Sequence, residues 1–468
     1  MVLGIEGRSV VGNLGNVISR STLGAGIALC GACLLIGPVS AQAPAQPAPA
    51  AEPAATNPPA TPAVPAKPAE VVYAEPRITE EDFQKWNSTR SLKFSTAQKS
   101  IAPTNAETKE LVDAANLLVD KMTVPKFRQD LYRHVVEPAR RSTDGPSTAD
   151  KPREILLKAI TARSIEVLAQ TPPHHPDVQH NVVILLGTLN ARPAGATAAA
   201  IPYTGSAKAL ITVLEDSNRP LQCRIAAAIG LGRMGREAVP GVSLGDLSIV
   251  QRGEIATSLT KVLLQTNNSG GTDDGKLWYR GRLAEAIGDC GLAYDLNKGS
   301  GYIDALMSTA TNRDENRRVR STAIRAATQL QWDAQVNLPL VLHEEVKLLV
   351  ELGNDYNKKI AEKTPVPAEL SHANLDLYFA LQPKTAQQGS SPLLWGLRNQ
   401  VKRPGLNKYE ASVTAAYGVA MPVINHIVSN PKKAVAVPPA LIAAAQAWID
   451  ANPPQDRKPA AVSPAPVP

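Results

Sequence analysis

The chain has 468 residues, 44% of them hydrophobic, with 39 Pro, 4 Cys and only 4% aromatic. That apolar fraction supports a sizeable core and excludes disorder throughout, while so few rings argue against a base-stacking nucleic-acid surface or a large all-β barrel. The net charge of +7 is spread thinly, and no segment concentrates the field that a phosphate backbone requires, so nucleic acid is not an expected partner.

Residues 1–43 read as an export signal. Arg8 and Arg20 supply positive charge ahead of the apolar run Leu23–Ile36, Pro38 breaks that run, and Ala41-Gln42-Ala43 fits the small-x-small cleavage rule. Cys33 follows Gly31-Ala32 as in a lipoprotein signal, but Cys30 stands where such signals carry Leu, so cleavage after Ala43 is preferred. Residues 44–78 form a Pro/Ala-rich linker, with 9 Pro and 10 Ala in 44–70. Such a run favours extended polyproline, cannot bury a core, and reaches roughly 80 Å at about 3.1 Å per residue. It serves as a spacer, and as a tether if the chain meets a membrane or cell wall. Residues 453–468 have the same character.

Between these ends nearly every segment has helical spacing. The pattern predicts helices at Glu80–Asn87, Ala106–Met122 and Lys126–Arg141 in an N-terminal region, 79–150. In a repeat region, 151–335, it predicts Arg153–Gln170, Asp177–Leu189, Ser206–Glu215, Pro220–Arg233, Leu247–Thr266, Lys276–Gly291, Gly301–Thr311 and Glu315–Trp332. In a C-terminal region, 336–452, it predicts Leu338–Ala361, Ala368–Leu381, Leu393–Lys402, Lys408–Val428 and Pro439–Ala451. Pro, Gly and Asn fall between them, as helix stops should. No series of alternating β-branched runs is present, so an α/β sheet is not expected.

The internal repeat is the most informative feature. Arg224-Ile-Ala-Ala-Ala-Ile-Gly230 matches Arg282-Leu-Ala-Glu-Ala-Ile-Gly288 in residue type, Arg320–Ala326 is a weaker copy, and Asn181–Gly187 keeps the apolar stripe and the final Gly. An apolar helix precedes each, and the longest interval holds the polar insertion Asn267–Gly275. One helix pair cannot bury both its apolar faces, so successive pairs must stack and share a core. Ala226, Ala228, Ala284 and Ala286 permit close approach, Gly230 and Gly288 are expected to relax the helix near its end, and Asp216/Arg224 and Asp314/Arg320 are candidate ties between units. In this register Cys223 and Cys290 are offset by about 13 Å of helical rise. A disulfide needs Cα atoms within roughly 7 Å, so two separate buried thiols are expected.

The pattern of a turn Asp, a following Arg-(Ile/Leu)-Ala-x-Ala-Ile-Gly and a preceding apolar helix resembles the HEAT family, in particular its short HEAT-like subclass, over roughly residues 160–332. The resemblance implies an all-α solenoid of stacked helix pairs and a protein-interaction scaffold. It brings no catalytic residues and no cofactor.

Several motifs suggest chemistry and each has a plainer account. Gly230-Leu-Gly232-Arg-Met-Gly235 matches G-x-G-x-x-G, but a dinucleotide loop needs a strand before it and a helix after it, and here an Ala-rich helical stretch precedes and Pro240 follows. Gly270–Lys276 approximates a phosphate loop, yet Leu277 replaces the required hydroxyl and Asp273 and Asp274 repel phosphate. Gly241-Val-Ser243-Leu-Gly245 lacks the strand of a nucleophile elbow. His174, His175, Asp177 and His180 offer metal ligands, but the surrounding prolines mark a loop and Asp177 suits a helix cap. Arg313, Arg317, Arg318, Arg320 and Arg325 cluster together. Arg320 is expected to be structural, and Arg317 and Arg318 are candidate contacts for an acidic partner.

The expectation is an exported, non-enzymatic scaffold that binds a protein partner in the periplasm or cell envelope, with membrane or wall association through the N-terminal arm. The alternatives are an envelope-anchored structural protein and a metal-handling or hydrolytic enzyme.

Overall fold

The computed structural model describes residues 72–130, 133, 136–145, 148–195, 198–238, 245–265, 274–295, 301–382, 396–429 and 435–454. The expected signal, most of the linker and the end of the tail lie outside them. Sixteen α-helices stand among the described residues. They are α1 Glu80–Lys99, α2 Asn105–Asp120, α3 Glu137–Asp144, α4 Asp150–Leu168, α5 Pro176–Thr188, α6 Ala207–Glu215, α7 Leu221–Glu237 and α8 Ile249–Gln265. The rest are α9 Asp274–Cys290, α10 Tyr302–Thr311, α11 Arg317–Gln329, α12 Leu338–Ala361, α13 Ala368–Leu381, α14 Leu397–Gln400, α15 Glu410–Ser429 and α16 Pro439–Ala451.

Polar caps set the helix starts. Thr79 with Asp82, and Thr104 with Glu107, form reciprocal capping boxes on α1 and α2, and Asn316 and Asn337 cap α11 and α12. The expected helix at Lys126–Arg141 is broken instead into a 3₁₀ turn, Pro125–Asp130, and α3. A short antiparallel pair, β1 Asn190–Arg192 with β2 Ile201–Pro202, lies in the α5–α6 connection and carries no sequence signal of its own.

The helices form an all-α solenoid. Consecutive pairs α4/α5, α6/α7, α8/α9, α10/α11 and α12/α13 pack together. Their second members stack in the order α5, α7, α9, α11, α13, continued by α15, while α6, α8, α10 and α12 make the other layer. Helices α1 and α2 precede the stack through α2–α4 contact, and α16 closes against α12 and α15. One apolar core runs through all the pairs, from Leu111 on α2 to Ile449 on α16.

Small residues at the crossings of the second layer set the spacing. A Cβ on Gly230 would stand 2.9 Å from the Gly187 Cα, one on Gly232 3.1 Å from the Ala286 Cα, one on Gly235 3.0 Å from the Cys290 Cα, and one on Gly288 2.9 Å from the Ala326 Cα. These glycines therefore admit neighbouring backbones rather than relaxing a helix end, and α7 continues two turns past Gly230. The G-x-G-x-x-G run lies wholly inside that helix, where its amides are committed to the helical ladder.

Cys223 and Cys290 are separate, fully buried thiols, and burial pushes both up to about 12.

Gly230 and Gly281 provide a matched test of this packing. Gly230→Ala should cost about 1–3 kcal/mol by overpacking the α5–α7 crossing. Gly281, also mid-helix, meets nothing where its Cβ would stand, so Gly281→Ala should stabilise by about 0.5–1 kcal/mol through helix propensity. Chemical denaturation of both variants checks the pair. Equal effects would contradict the packing.

Candidate binding face on the second-helix layer

The units are tied by arginines, but not in the expected way. Arg224 Nε donates to the Leu214 carbonyl at 3.1 Å, Arg320 Nε to Ala310 at 2.9 Å, and Arg153 Nε to Thr143 at 2.8 Å. Each guanidinium thus satisfies a free carbonyl at the end of the preceding helix. Asp216 pairs with Arg219 instead of Arg224, and Arg320 takes Glu351 of the next unit instead of Asp314. A carbonyl cluster at a helix end is fixed in place, whereas Asp216 and Asp314 sit in solvated turns. In the α8/α9 unit this role falls to Arg280 rather than the aligned Arg282. Arg280 Nη1 donates to Leu263 at 2.9 Å, and its Nε donates to Glu315 at 2.8 Å, with both side chains buried.

Arg282 turns outward instead, over the Trp278 ring at 5.3 Å. It belongs to a stripe of α9 at helical spacing, Trp278, Arg282, Glu285 and Asp289. Matching stripes are Ile229, Arg233 and Arg236 on α7, Arg318, Thr322 and Arg325 on α11, and His372, Asp376 and Phe379 on α13. Paired charges join these stripes. Arg236 meets Asp289 at 2.6 Å, Glu285 takes both Arg282 and Arg325, and Arg325 also meets Asp376 at 3.0 Å. Asp376 accepts from Thr322 at 2.8 Å. At the α5 end, Arg233 donates to the Gly187 carbonyl at 3.2 Å and binds the Asn190 side chain, which reaches Asp144 at 2.7 Å.

A polar ribbon therefore crosses α7, α9, α11 and α13 on the face turned away from the first layer, flanked by apolar groups. Ile229 is 45% exposed there, and Trp278 and Phe379 are half-buried. Burial pushes the Asp289 carboxyl up to about 6 against the pull of Arg236. Burial also pushes Glu285 upward, but Arg325 and Arg282 outweigh it and hold that carboxyl below its usual range.

The sequence-derived candidates fall unevenly around this face. Arg318 lies on its α11 stripe. Arg317 turns to the first layer, where it pairs with Asp355 and approaches Glu351 at 4.0 Å. Arg313 also pairs with Glu351, at 2.8 Å, and Arg320 is 2% exposed and structural. The histidine cluster is dispersed. His174 is buried, and His175 rather than Asp177 caps α5, its Nδ1 accepting from the Asp177 amide at 3.3 Å. Pro176 opens the helix, which puts the cap at His175, two residues before the expected Asp177. His175 also meets the Tyr73 ring in a tilted arrangement, centroids 5.1 Å apart, and no group of three or more metal-ligating side chains forms among the described residues. Residues 241–244 of the G-x-S-x-G match and 270–273 of the phosphate-loop match lie outside the described residues, and Asp274–Lys276 open α9.

Sequence reasoning missed several buried acids, of which Glu345 is the most enclosed. Glu345 on α12 is 1% exposed, and neither of its carboxylate oxygens has a hydrogen-bond partner. Burial alone pushes its carboxyl well above the usual range. Its only sequence signal is a Glu beside two other polar residues, His343 and Glu344, in the largely apolar first half of a long amphipathic helix.

Two variants test these assignments. Arg280→Met strands Glu315 as a buried unpaired charge and should cost about 3–5 kcal/mol, most of it recovered in Arg280→Met with Glu315→Leu. For Glu345 the folded state binds the proton more tightly than the unfolded state. Its contribution is full below the ordinary Glu range and is lost as pH rises through its folded value. Denaturation midpoints of Glu345→Gln should therefore match the parent at acid pH and exceed it at alkaline pH. A constant difference across pH would contradict the assignment.

Compared with known proteins, the chain matches no family model, no curated protein and no solved structure.

Proposed function

We propose that this protein is an exported scaffold of the HEAT-like repeat type that binds a protein partner through the outward face of its second-helix layer, in the periplasm or cell envelope. The observation that carries the reading is the ribbon itself, a chain of paired, largely buried charges across α7, α9, α11 and α13 with exposed Ile229 and half-buried Trp278 and Phe379 on the same side. Protein interfaces draw their energy from such Trp and Arg anchors, ringed by polar groups already held in place. Preformed ion pairs reduce the ordering cost on binding. Arg318 supplies a cation on the same face for an acidic group of the partner. The role is binding rather than catalysis, as the repeat resemblance implies.

Export rests on the apolar run Leu23–Ile36 and the Ala41-Gln42-Ala43 site. The same run, if retained, would make the protein an envelope-anchored structural element with residues 44–78 as its tether. The N-terminal sequence of protein recovered from the envelope separates the two. Export with cleavage predicts a start at Pro44 or close to it, and an intact Met1 favours the anchor.

Binding is tested by affinity capture from the protein's own envelope fraction, comparing the parent with an Ile229→Arg, Trp278→Ala double variant. Loss of these two anchors should reduce specific capture at least about tenfold, at a temperature where circular dichroism shows the variant still folded. Undiminished capture would contradict this face as the binding surface.

A further inference from the structure

The corner formed by α14 and the start of α15 differs electrostatically from the rest of the stack. Arg398, Lys402, Arg403 and Lys408 fall within eleven residues there. Many arginines elsewhere in the stack meet carboxylates, as at Arg236, Arg280 and Arg325. Here Arg398 lies over the Tyr417 ring at 4.7 Å, Lys408 lies over the Tyr409 ring at 4.9 Å, and Arg403 Nε is buried without a hydrogen-bond partner. No carboxylate pairs with any of the four among the described residues. Four cations and two tyrosines, with Glu410 the one acid between residues 396 and 429 and paired with none of the four, form a site whose complement is anionic.

A second observation adjoins it. Helix α15 carries no Asp, Glu, Lys or Arg from Ala411 to Ser429, and Ala411, Ala415, Gly418 and Pro422 on its outer side are exposed. The most apolar 18-residue window of the stretch Asn407–Val428 has a mean hydropathy of 1.3, and 39% of that window is buried. Its inner side packs on α12, α13 and α16, so the helix lies along the surface of the stack. Helices at the ends of a repeat stack ordinarily turn a polar face to water, as α1 does with Glu80, Glu81 and Asp82, whereas α15, in the last part of the stack beside α16, turns an uncharged one. An acidic polypeptide would neutralise the four cations and leave this uncharged face unmatched. An anionic lipid surface complements both, with phosphates for the cations and an apolar boundary beneath them for the helix and the tyrosines.

We propose that the α14–α15 corner docks on an anionic lipid surface, with Arg398, Lys402, Arg403 and Lys408 meeting headgroup phosphates and the outer face of α15 settling at the headgroup–acyl boundary. This contact is distinct from the N-terminal arm and from the second-layer face, and it stands whether or not that face binds a protein.

The test is co-sedimentation of the full chain with phosphatidylcholine vesicles prepared with and without phosphatidylglycerol. Lys402 and Lys408 are exposed, so Lys402→Gln with Lys408→Gln preserves the fold. Partition onto the anionic vesicles should fall by roughly thirty-fold in that variant. It should also weaken in Ala415→Asp and be unchanged in Lys85→Gln with Lys93→Gln on α1. Binding through the apolar segment near the N-terminus does not depend on phosphatidylglycerol, so the partition measured on phosphatidylcholine vesicles is subtracted before the fold-change is taken. Equal partition of parent and Lys402/Lys408 variant, or equal binding to vesicles lacking phosphatidylglycerol, overturns the proposal. So does retention on polyglutamate that requires these lysines while vesicle binding is absent, which assigns the patch to an acidic polypeptide.

Discussion

The solenoid depends on how closely its second-layer helices approach one another. At the α5–α7 crossing two glycines face each other, Gly187 and Gly230, and neither position has room for a methyl group without a shift. The α7–α9 and α9–α11 crossings use Gly232 against Ala286 and Gly288 against Ala326. Close backbone approach gives each crossing dense contact, and dense contact compensates for a core with few aromatic side chains. It also brings the outward stripes of α7, α9, α11 and α13 near enough for one arginine, Arg325, to reach acids on two neighbouring helices.

The arginines divide into two groups by the direction they face. Those pointing inward between layers, Arg153, Arg224, Arg280 and Arg320, close the carbonyl ends of preceding helices and fix the turn of each pair. Those on the opposite side, Arg233, Arg236 and Arg325, join successive second helices, and with Arg282, which pairs within α9, they make the face proposed to bind a partner. The same residue type thus holds the stack together on one side and decorates it on the other. Neither use concentrates free positive charge, and so the unmatched cations of the α14–α15 corner stand apart.

Helices were legible from the sequence because apolar spacing and polar caps act locally. Leu338–Ala361, Ala368–Leu381 and Pro439–Ala451 end where the pattern places them. The stacked architecture was legible from the repeat of small residues. What the repeat could not convey was which arginine faces which way. Arg282 aligns with Arg224 by residue type, but two positions on a helix turn a side chain through more than half a circle, and Arg280 holds the inward place. The ribbon was illegible for a related reason, since Arg236, Glu285 and Asp376 are far apart in sequence and read singly as solvated charges. Of the two arginines singled out for a partner, Arg318 lies on the ribbon and Arg317 is drawn to Asp355 on α12, a contact that no local pattern announces. Glu345 stayed hidden because nothing in a sequence distinguishes a buried glutamate from an exposed one on a long amphipathic helix.

The central claim is that the outward face of the second layer is where a partner is held. Hydroxyl-radical footprinting of the complex recovered from the envelope, compared with the free protein, tests it most directly. The account predicts that Trp278 and Phe379 lose reactivity on complex formation while Trp86 on α1 does not. Full reactivity of Trp278 in the complex, with protection confined to α1 or α16, would contradict it.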